Sequence, residues 1–136
     1  MGRQDGRDGR EGREGREGRE EKIGRRRVAV AQGTYFLMTG VWPLIAMRSF
    51  ERVTGPKAEK WLVRTVGVLV AVIGGSLIAA GTKRRVTSET VTLAVGSAIG
   101  LAAIDVIYAS KGRISRVYLT DAAAESALVA AWAVVA

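Results

Sequence analysis

Four charged side chains lie inside long apolar stretches of this chain, where charge is costly and usually has a role. They are Arg64, Asp105, Asp121 and Glu125. Asp121 and Glu125 are four residues apart, which places both carboxyls on one face of a helix. Carboxyls gathered in apolar surroundings can bind protons or cations, and they can also act as acids and bases in catalysis.

The residue types that are missing restrict this chemistry. The chain of 136 residues contains no Cys and no His. Disulfides, thiol redox sites, Ser-His-Asp triads and His- or Cys-ligated metals are therefore excluded. No glycine-rich nucleotide-binding fingerprint is present either. We expect no metal site and no cofactor. An enzyme is left open, but it would have to work with carboxylates alone, so a non-enzymatic function is favoured.

The charged side chains belong to four apolar runs that a soluble domain of this length does not need. About 20 apolar residues in a helix that rises 1.5 Å per residue cross the hydrocarbon core of a bilayer. With their start and stop signals, the predicted spans cover residues 28–47, 56–81, 89–109 and 116–136. Because the connections are short, neighbouring helices must be antiparallel. The predicted fold is all-α, a transmembrane antiparallel four-helix bundle.

Single residues predict where these helices bend, begin and end. Pro43 inside the first span predicts a kink near Trp42. Pro56 is suited to the first turn of the second helix, because its missing N–H has no partner there in any case. Ser88 is the predicted cap of the third helix, and Gly112 is the predicted end of it.

Residues 1–27 differ in kind from the transmembrane domain at residues 28–136. They carry ten basic and seven acidic side chains, and from Gly6 to Glu20 they repeat Gly-Arg-acid five times. Nothing there can offset the entropy of ordering, so a disordered tail is predicted. The net charge of +8 would ordinarily suggest nucleic acid. The interleaved acids weaken that field, so anionic lipid is the expected partner and nucleic acid is not.

The antiparallel arrangement predicts where the intramembrane charges meet. Counting from the span centres, Arg64, Asp105 and Asp121 share one level, and Glu125 lies near the midplane, one turn deeper. Tyr118 extends the stripe of acids on the fourth helix. These five residues form the predicted polar pocket, which opens toward the loop after the first span and has Arg64 as its counter-ion. The alternative is that the charges only lock the helices together.

On the first span, Gln32, Tyr35, Thr39 and Trp42 follow helical spacing. They could line the same cavity, although packing is the more common role for such residues.

Small residues at four-residue spacing predict the surfaces where helices approach closely in lipid. We expect them to pack inside one bundle, and the alternative is a homo-oligomer formed through the same faces. The predicted packing residues are Gly67, Ala71, Gly75, Gly96, Gly100, Ala123 and Ala127.

Basic residues near the span ends are almost balanced between the two sides of the membrane. The tail bases Arg13, Arg16, Arg19 and Lys22 favour a cytoplasmic N-terminus.

Two stretches resemble uncharacterised small bacterial four-span inner-membrane proteins. One runs from Thr54-Gly55-Pro56-Lys57 through Trp61-Leu62-Val63-Arg64-Thr65-Val66-Gly67. The other is Val117-Tyr118-Leu119 followed by Asp121-Ala122 and Glu125. The resemblance covers roughly residues 30–136 and leaves out the tail. It implies a multi-pass protein of the bacterial inner membrane, and it brings no activity with it.

The sequence thus predicts an integral membrane protein that contacts the lipid bilayer and binds or moves a small polar or cationic solute, or protons, in an acidic pocket. Two alternatives stay open. One is a structural or partner-binding membrane subunit, and the other is a membrane-embedded enzyme that uses carboxylates.

Overall fold

The computed structural model of the protein describes residues 4–57 and 59–135, which form five helices and no strand. The helices are α1 (Gln4–Ile45), α2 (Met47–Thr54), α3 (Lys60–Thr82), α4 (Ser88–Ser110) and α5 (Val117–Val135). All except α2 are long and apolar enough to cross a membrane. The predicted all-α bundle with four spans is confirmed, and the protein is a multi-pass membrane protein.

The first helix is much longer than the span it contains. The sequence predicted a disordered tail over residues 1–27, but α1 is helical from Gln4 and has no break at residue 27. Two physical effects favour this continuation. The apolar span has already met the cost of helix nucleation, and the repeat places opposite charges four residues apart, as in Arg13 and Glu17. At 1.5 Å per residue α1 is about 60 Å long, twice the thickness of the hydrocarbon core.

The chain bends after Pro43, slightly later than predicted. Pro43 stays inside α1, which ends at Ile45, and the helix is interrupted at Ala46 (φ −142°, ψ 61°). The following residues, expected to form a loop, make the short helix α2 instead.

The second span begins later than predicted. Gly55, at φ 95° and ψ 160°, ends α2 in a conformation that favours glycine. The chain is therefore still non-helical at Pro56, and α3 starts at Lys60 instead of residue 56.

The connection into α4 is capped one residue earlier than predicted. Thr87, not Ser88, is the N-cap. Its side chain accepts a hydrogen bond from the backbone N–H of Thr90, and the hydroxyl oxygen of Thr90 accepts one from the backbone N–H of Thr87. At the other end Gly112 has φ 70° and follows the last turn of α4, as predicted. The backbone N–H of Arg113 closes that turn on the carbonyl of Tyr108 at 2.9 Å.

Glycines hold α1 and α3 together along an antiparallel crossing. A Cβ atom at Gly33 or Gly40 would lie 2.6 Å from backbone oxygens of α3, and a Cβ atom at Gly67 or Gly74 would lie 2.6 Å from backbone oxygens of α1. A Cβ atom at Gly81 would lie 2.6 Å from the side chain of Val30 and 3.0 Å from the carbonyl oxygen of Arg26. The two sets follow a spacing of seven residues, which keeps one face toward a partner when helices cross at a small angle.

The predicted packing faces are only partly correct. Gly67 and Ala71 lie in the α1–α3 contact, because Gly40 faces both of them. For the other five residues, the prediction that they pack inside the bundle was wrong. Nothing in the described residues lies within 4 Å of a Cβ atom added at Gly75, Gly96 or Gly100. Two further predicted residues, Ala123 and Ala127, are exposed. The alternative, that these faces meet a second copy, stays a prediction.

The second half of the bundle is the antiparallel pair α4 and α5, which joins the first half mainly through α1. A small apolar core lies where the halves meet, near the ends of α3 and α5. Its fully buried members are Ala29, Leu77, Ala94 and Trp132. Buried polar residues also lie along this contact between the two halves of the bundle, which we call the seam.

Candidate functional site

The three acids of the last two spans lie together on the buried side of the α4–α5 pair. Asp105 on α4 is a close neighbour of Asp121 on α5, and Glu125 is close to both. Asp105 is 6 % exposed and Glu125 is 1 % exposed. Because Asp121 and Glu125 are one turn apart on α5, the antiparallel approach of α4 brings Asp105 to the same place.

The site is completed by a side chain from the other half of the bundle. The hydroxyl of Tyr35 on α1 donates a hydrogen bond to a carboxylate oxygen of Asp121. This bond connects the α1–α3 pair with the α4–α5 pair at the level of the acids. Sequence reasoning placed Tyr35 only among four residues that could line a cavity, because helical spacing on α1 does not tell which of its faces meets α5.

Two acid oxygens in this cluster are buried and have no hydrogen-bond partner among the described residues. They are Oδ2 of Asp105 and Oε2 of Glu125. A buried carboxyl oxygen without a partner costs free energy, and the cost is greater when the group carries charge. These two oxygens are therefore free to take up a proton or another positively charged ligand.

The predicted counter-ion is not in the cluster. Arg64 is exposed on α3. Lys60 and Glu51, at 3.7 Å, form the only ion pair among the described side chains, which are those of residues 9, 10, 12–57 and 59–135. In α3 the glycine face is turned toward α1, while α4 and α5 pair with each other. The exposed side chain of Arg64 is therefore outside the acid cluster, and the prediction of Arg64 as its counter-ion was wrong.

Tyr118 was also predicted in the pocket, and the structure gives it a different neighbour. The Nζ atom of Lys57 lies 4.7 Å from the centre of the Tyr118 ring, a cation–π contact near the start of α5. The same Nζ donates to the carbonyl oxygen of Thr54 at 3.0 Å. Tyr118 is one turn before Asp121 on α5. Its contact with Lys57 places it beside the loop after α2, at the end of the bundle.

A second polar contact crosses the seam deeper in the bundle. Gln32 on α1 is fully buried, and its Nε2 donates to the carbonyl oxygen of Ala94 on α4 at 2.8 Å. Its Oε1 accepts from Nε1 of Trp132 on α5 at 2.6 Å. Gln32 thus joins three helices with its polar groups satisfied. Phe36, fully buried on the next turn of α1, lies beside this contact.

The remaining candidates from the first span have local roles. Thr39 bonds back to the carbonyl of Tyr35 within α1 at 2.8 Å. Trp42 donates to Ser49 at 3.2 Å and packs edge-on against Phe50, at the bend between α1 and α2. Neither residue contributes a hydrogen bond to the acid cluster in the part of the chain that is described.

The chemistry of the cluster follows from its composition. Ionised carboxylates that lie close together repel one another, and a bound proton or cation removes that repulsion. Tyr35 is a neighbouring donor, and no described base forms an ion pair with these acids, so the cluster can hold a proton and release it. No group of three or more Asp, Glu, His or Cys side chains in the described residues is arranged to hold a metal ion.

No protein-family model matches this chain, and neither a curated protein nor a solved structure is similar enough to be matched with it. The resemblance to small bacterial four-span membrane proteins therefore stays a prediction.

Proposed function

We propose that this integral membrane protein binds protons at Asp105, Asp121 and Glu125 and exchanges them for a small cationic solute. The observation that carries this proposal is Glu125, which is 1 % exposed and whose Oε2 has no hydrogen-bond partner in the described part of the chain. A carboxyl that only locked helices together would be expected to use its oxygens on a neighbouring helix, as Gln32 does.

The position of Tyr35 supports exchange between the two ligands. Its hydroxyl is bonded to Asp121, so a cation that binds the acids competes with a contact between the two halves of the bundle. Binding at the cluster can therefore change how α1 meets α5. A membrane protein needs such a link when ligand binding is to alter access to a site.

Two further parts of the proposal concern location. The resemblance to small bacterial proteins supports the bacterial inner membrane, and the bases of the N-terminal segment support a cytoplasmic N-terminus. In that orientation the loop between α1 and α3 is outside the cytoplasm, and the acid cluster is nearer to that side.

Proton release on addition of a cation tests the exchange directly. Sodium, tetramethylammonium and tetraphenylphosphonium chlorides are added in turn to the purified, weakly buffered protein with a pH indicator. At least one is expected to release protons, and Glu125→Gln is expected to abolish the release. Glu59→Gln removes an exposed acid near the start of α3 and serves as the matched control. Release that is equal in Glu125→Gln, or absent with all three cations, contradicts the proposal.

A second function is favoured by a different observation. Gly96 and Gly100 form a small-residue face on α4 that no described residue of the chain covers. Faces of this kind allow another helix to approach closely in lipid. The chain would then be a partner-binding or structural subunit. A cysteine at Ala103, on the same face, should cross-link with a neighbouring copy, whereas one at the exposed Leu69 of α3 should not. Equal cross-linking at both positions would argue against a specific face.

A further inference from the structure

A basic groove lies at the end of the bundle opposite the α4–α5 loop. Its volume is about 600 Å³. One wall is α1 just before its apolar span, and the other is the loop that joins α3 to α4. The lining residues are Arg19, Lys22, Ile23, Arg25, Arg26, Arg84 and Val86.

Five of the seven lining residues are cationic and none is acidic. None of the five has a carboxylate within 4.0 Å in the part of the chain whose side chains are described, where the single ion pair is Lys60–Glu51 at the other end. Like charges gathered around one groove repel one another. An anion in the groove would remove that repulsion.

Two of the cations are held in place by helix ends. Arg26 donates from Nε to the carbonyl oxygen of Gly81 at 2.8 Å, and Arg25 donates from Nε to the carbonyl oxygen of Val135 at 3.1 Å. A guanidinium group carries five N–H donors, so each has donors left for a ligand. Arg84 lines the groove from the loop between α3 and α4. The backbone of Arg84 has φ 58°, a conformation that is uncommon for a residue other than glycine.

An apolar groove of about 430 Å³ adjoins the basic one, and Ile23 and Arg26 line both. It lies along α1 and is also lined by Val30, Ala31 and Gly81. Arg27 also lines this apolar groove. The two grooves together offer a charged part at the membrane surface and an apolar part that descends into the hydrocarbon region.

We propose that these two grooves bind one anionic phospholipid, with its phosphate among Lys22, Arg26 and Arg84 and an acyl chain along Val30 and Ala31. A phosphate group suits this site because Arg binds phosphate oxygens through paired N–H donors. Basic pockets between spans are a known setting for anionic headgroups. The apolar groove favours a lipid over inorganic phosphate, because a free ion would leave that part empty.

The proposal is tested on the full chain in phosphatidylcholine nanodiscs, by thermal unfolding and by native mass spectrometry. Phosphatidylglycerol is added in one arm and inorganic phosphate in another. Phosphatidylglycerol is expected to raise the melting temperature and to remain bound in the mass spectrum, and inorganic phosphate is expected to do neither. The double variant Lys22→Gln/Arg84→Gln is expected to weaken phosphatidylglycerol binding at least about 10-fold. Both side chains are exposed, so the fold should be preserved.

The matched control is Arg113→Gln/Arg116→Gln, which removes the same charge from exposed residues at the opposite end of the bundle. It should bind phosphatidylglycerol like the unaltered chain. Equal weakening in both double variants would show that only general surface charge attracts the lipid, and this would overturn the proposal. A full effect from inorganic phosphate alone would also overturn it, in favour of a site for free anions.

Discussion

Gly40 of α1 and Gly67 of α3 face each other so closely that a Cβ atom on either would lie 2.6 Å from the carbonyl oxygen of the other. Both neighbours are backbone atoms, which cannot turn aside as a long side chain can. The distance between the two helices is therefore set by the absence of side chains at these positions.

Replacement of Gly40 by Ala should destabilise the protein by about 1–3 kcal/mol, because the added methyl group forces the two backbones apart. Gly15→Ala, in the same helix, is the matched control, since its added methyl group meets no described atom within 4 Å. Unfolding of both variants in detergent, followed by circular dichroism, measures the difference. Equal loss in the two variants would mean that the α1–α3 contact is not as close as described.

The sequence predicted the spans well and the helix contacts less well. Long apolar runs define a span whatever its neighbours, so the ranges of α4 and α5 agree with expectation to within a residue or two. Contacts depend on which face of each helix points inward. Four-residue spacing selected Gly75, Gly96 and Gly100, but the faces that meet repeat every seven residues.

The acid site was also only partly predictable, because the sequence indicates the position along a helix but not the rotation about its axis. Depth follows from counting residues, so Asp105, Asp121 and Glu125 were expected together. Rotation about the helix axis does not follow from counting, and it moved Arg64 out of the site and brought Tyr35 into it. A signal for the rotation of α3 was present in Gly67, Gly74 and Gly81, since glycines repeated every seven residues mark one face.

The buried contact of Gln32 predicts a strong coupling between α1 and α5. Gln32→Leu should cost about 1–3 kcal/mol, because the carbonyl of Ala94 and Nε1 of Trp132 would be left buried without partners. Trp132→Phe should also destabilise, and the double variant should cost less than the sum of the single ones. Additive losses in thermal or denaturant unfolding would argue that Gln32 and Trp132 do not form the bond that joins them at 2.6 Å.

The binding function and the structural alternative for the acid cluster predict different effects of Glu125→Gln on the free energy of unfolding. Gln has nearly the same shape as Glu and carries no charge, so it removes repulsion from Asp105 and Asp121. If the acids serve binding, the variant should be as stable as the unaltered chain or more stable by about 1 kcal/mol, since functional sites often reduce stability. A loss of about 2 kcal/mol or more in the same unfolding assay would favour the structural alternative.

The N-terminal part of α1 should be dispensable for folding. A Cβ atom added at Gly9, Gly12, Gly15 or Gly18 would have no described atom within 4 Å, so these four positions have no close neighbour in the described part of the chain. Deletion of residues 2–18 should leave the melting temperature in phosphatidylcholine within the error of measurement, because no buried contact is removed. The deletion keeps Arg19 and Lys22 and hence the basic groove. A clear drop in melting temperature would show that the segment docks on the bundle.

The four spans predict which loops share a side of the membrane. Single cysteines at Val53 and Arg113 should react alike with a membrane-impermeant thiol reagent, and a cysteine at Arg85 should react from the opposite side. All three residues are exposed, and the natural chain has no Cys to interfere. Labelling of all three positions from one side in sealed vesicles would contradict the arrangement of the spans.

The pairing of α1 with α3, and of α4 with α5, has a consequence for biogenesis. The first two spans to leave the ribosome can close on each other through glycine faces before the rest of the chain exists. The last two spans would each expose acid to lipid if they entered singly, at a cost of about 2.5 kcal/mol or more for a central Asp. Entering as one unit, they turn Asp105, Asp121 and Glu125 toward each other. We therefore expect a nascent chain that stops after α4 to be retained by the insertion machinery or degraded, whereas one that stops after α3 should be released into the membrane.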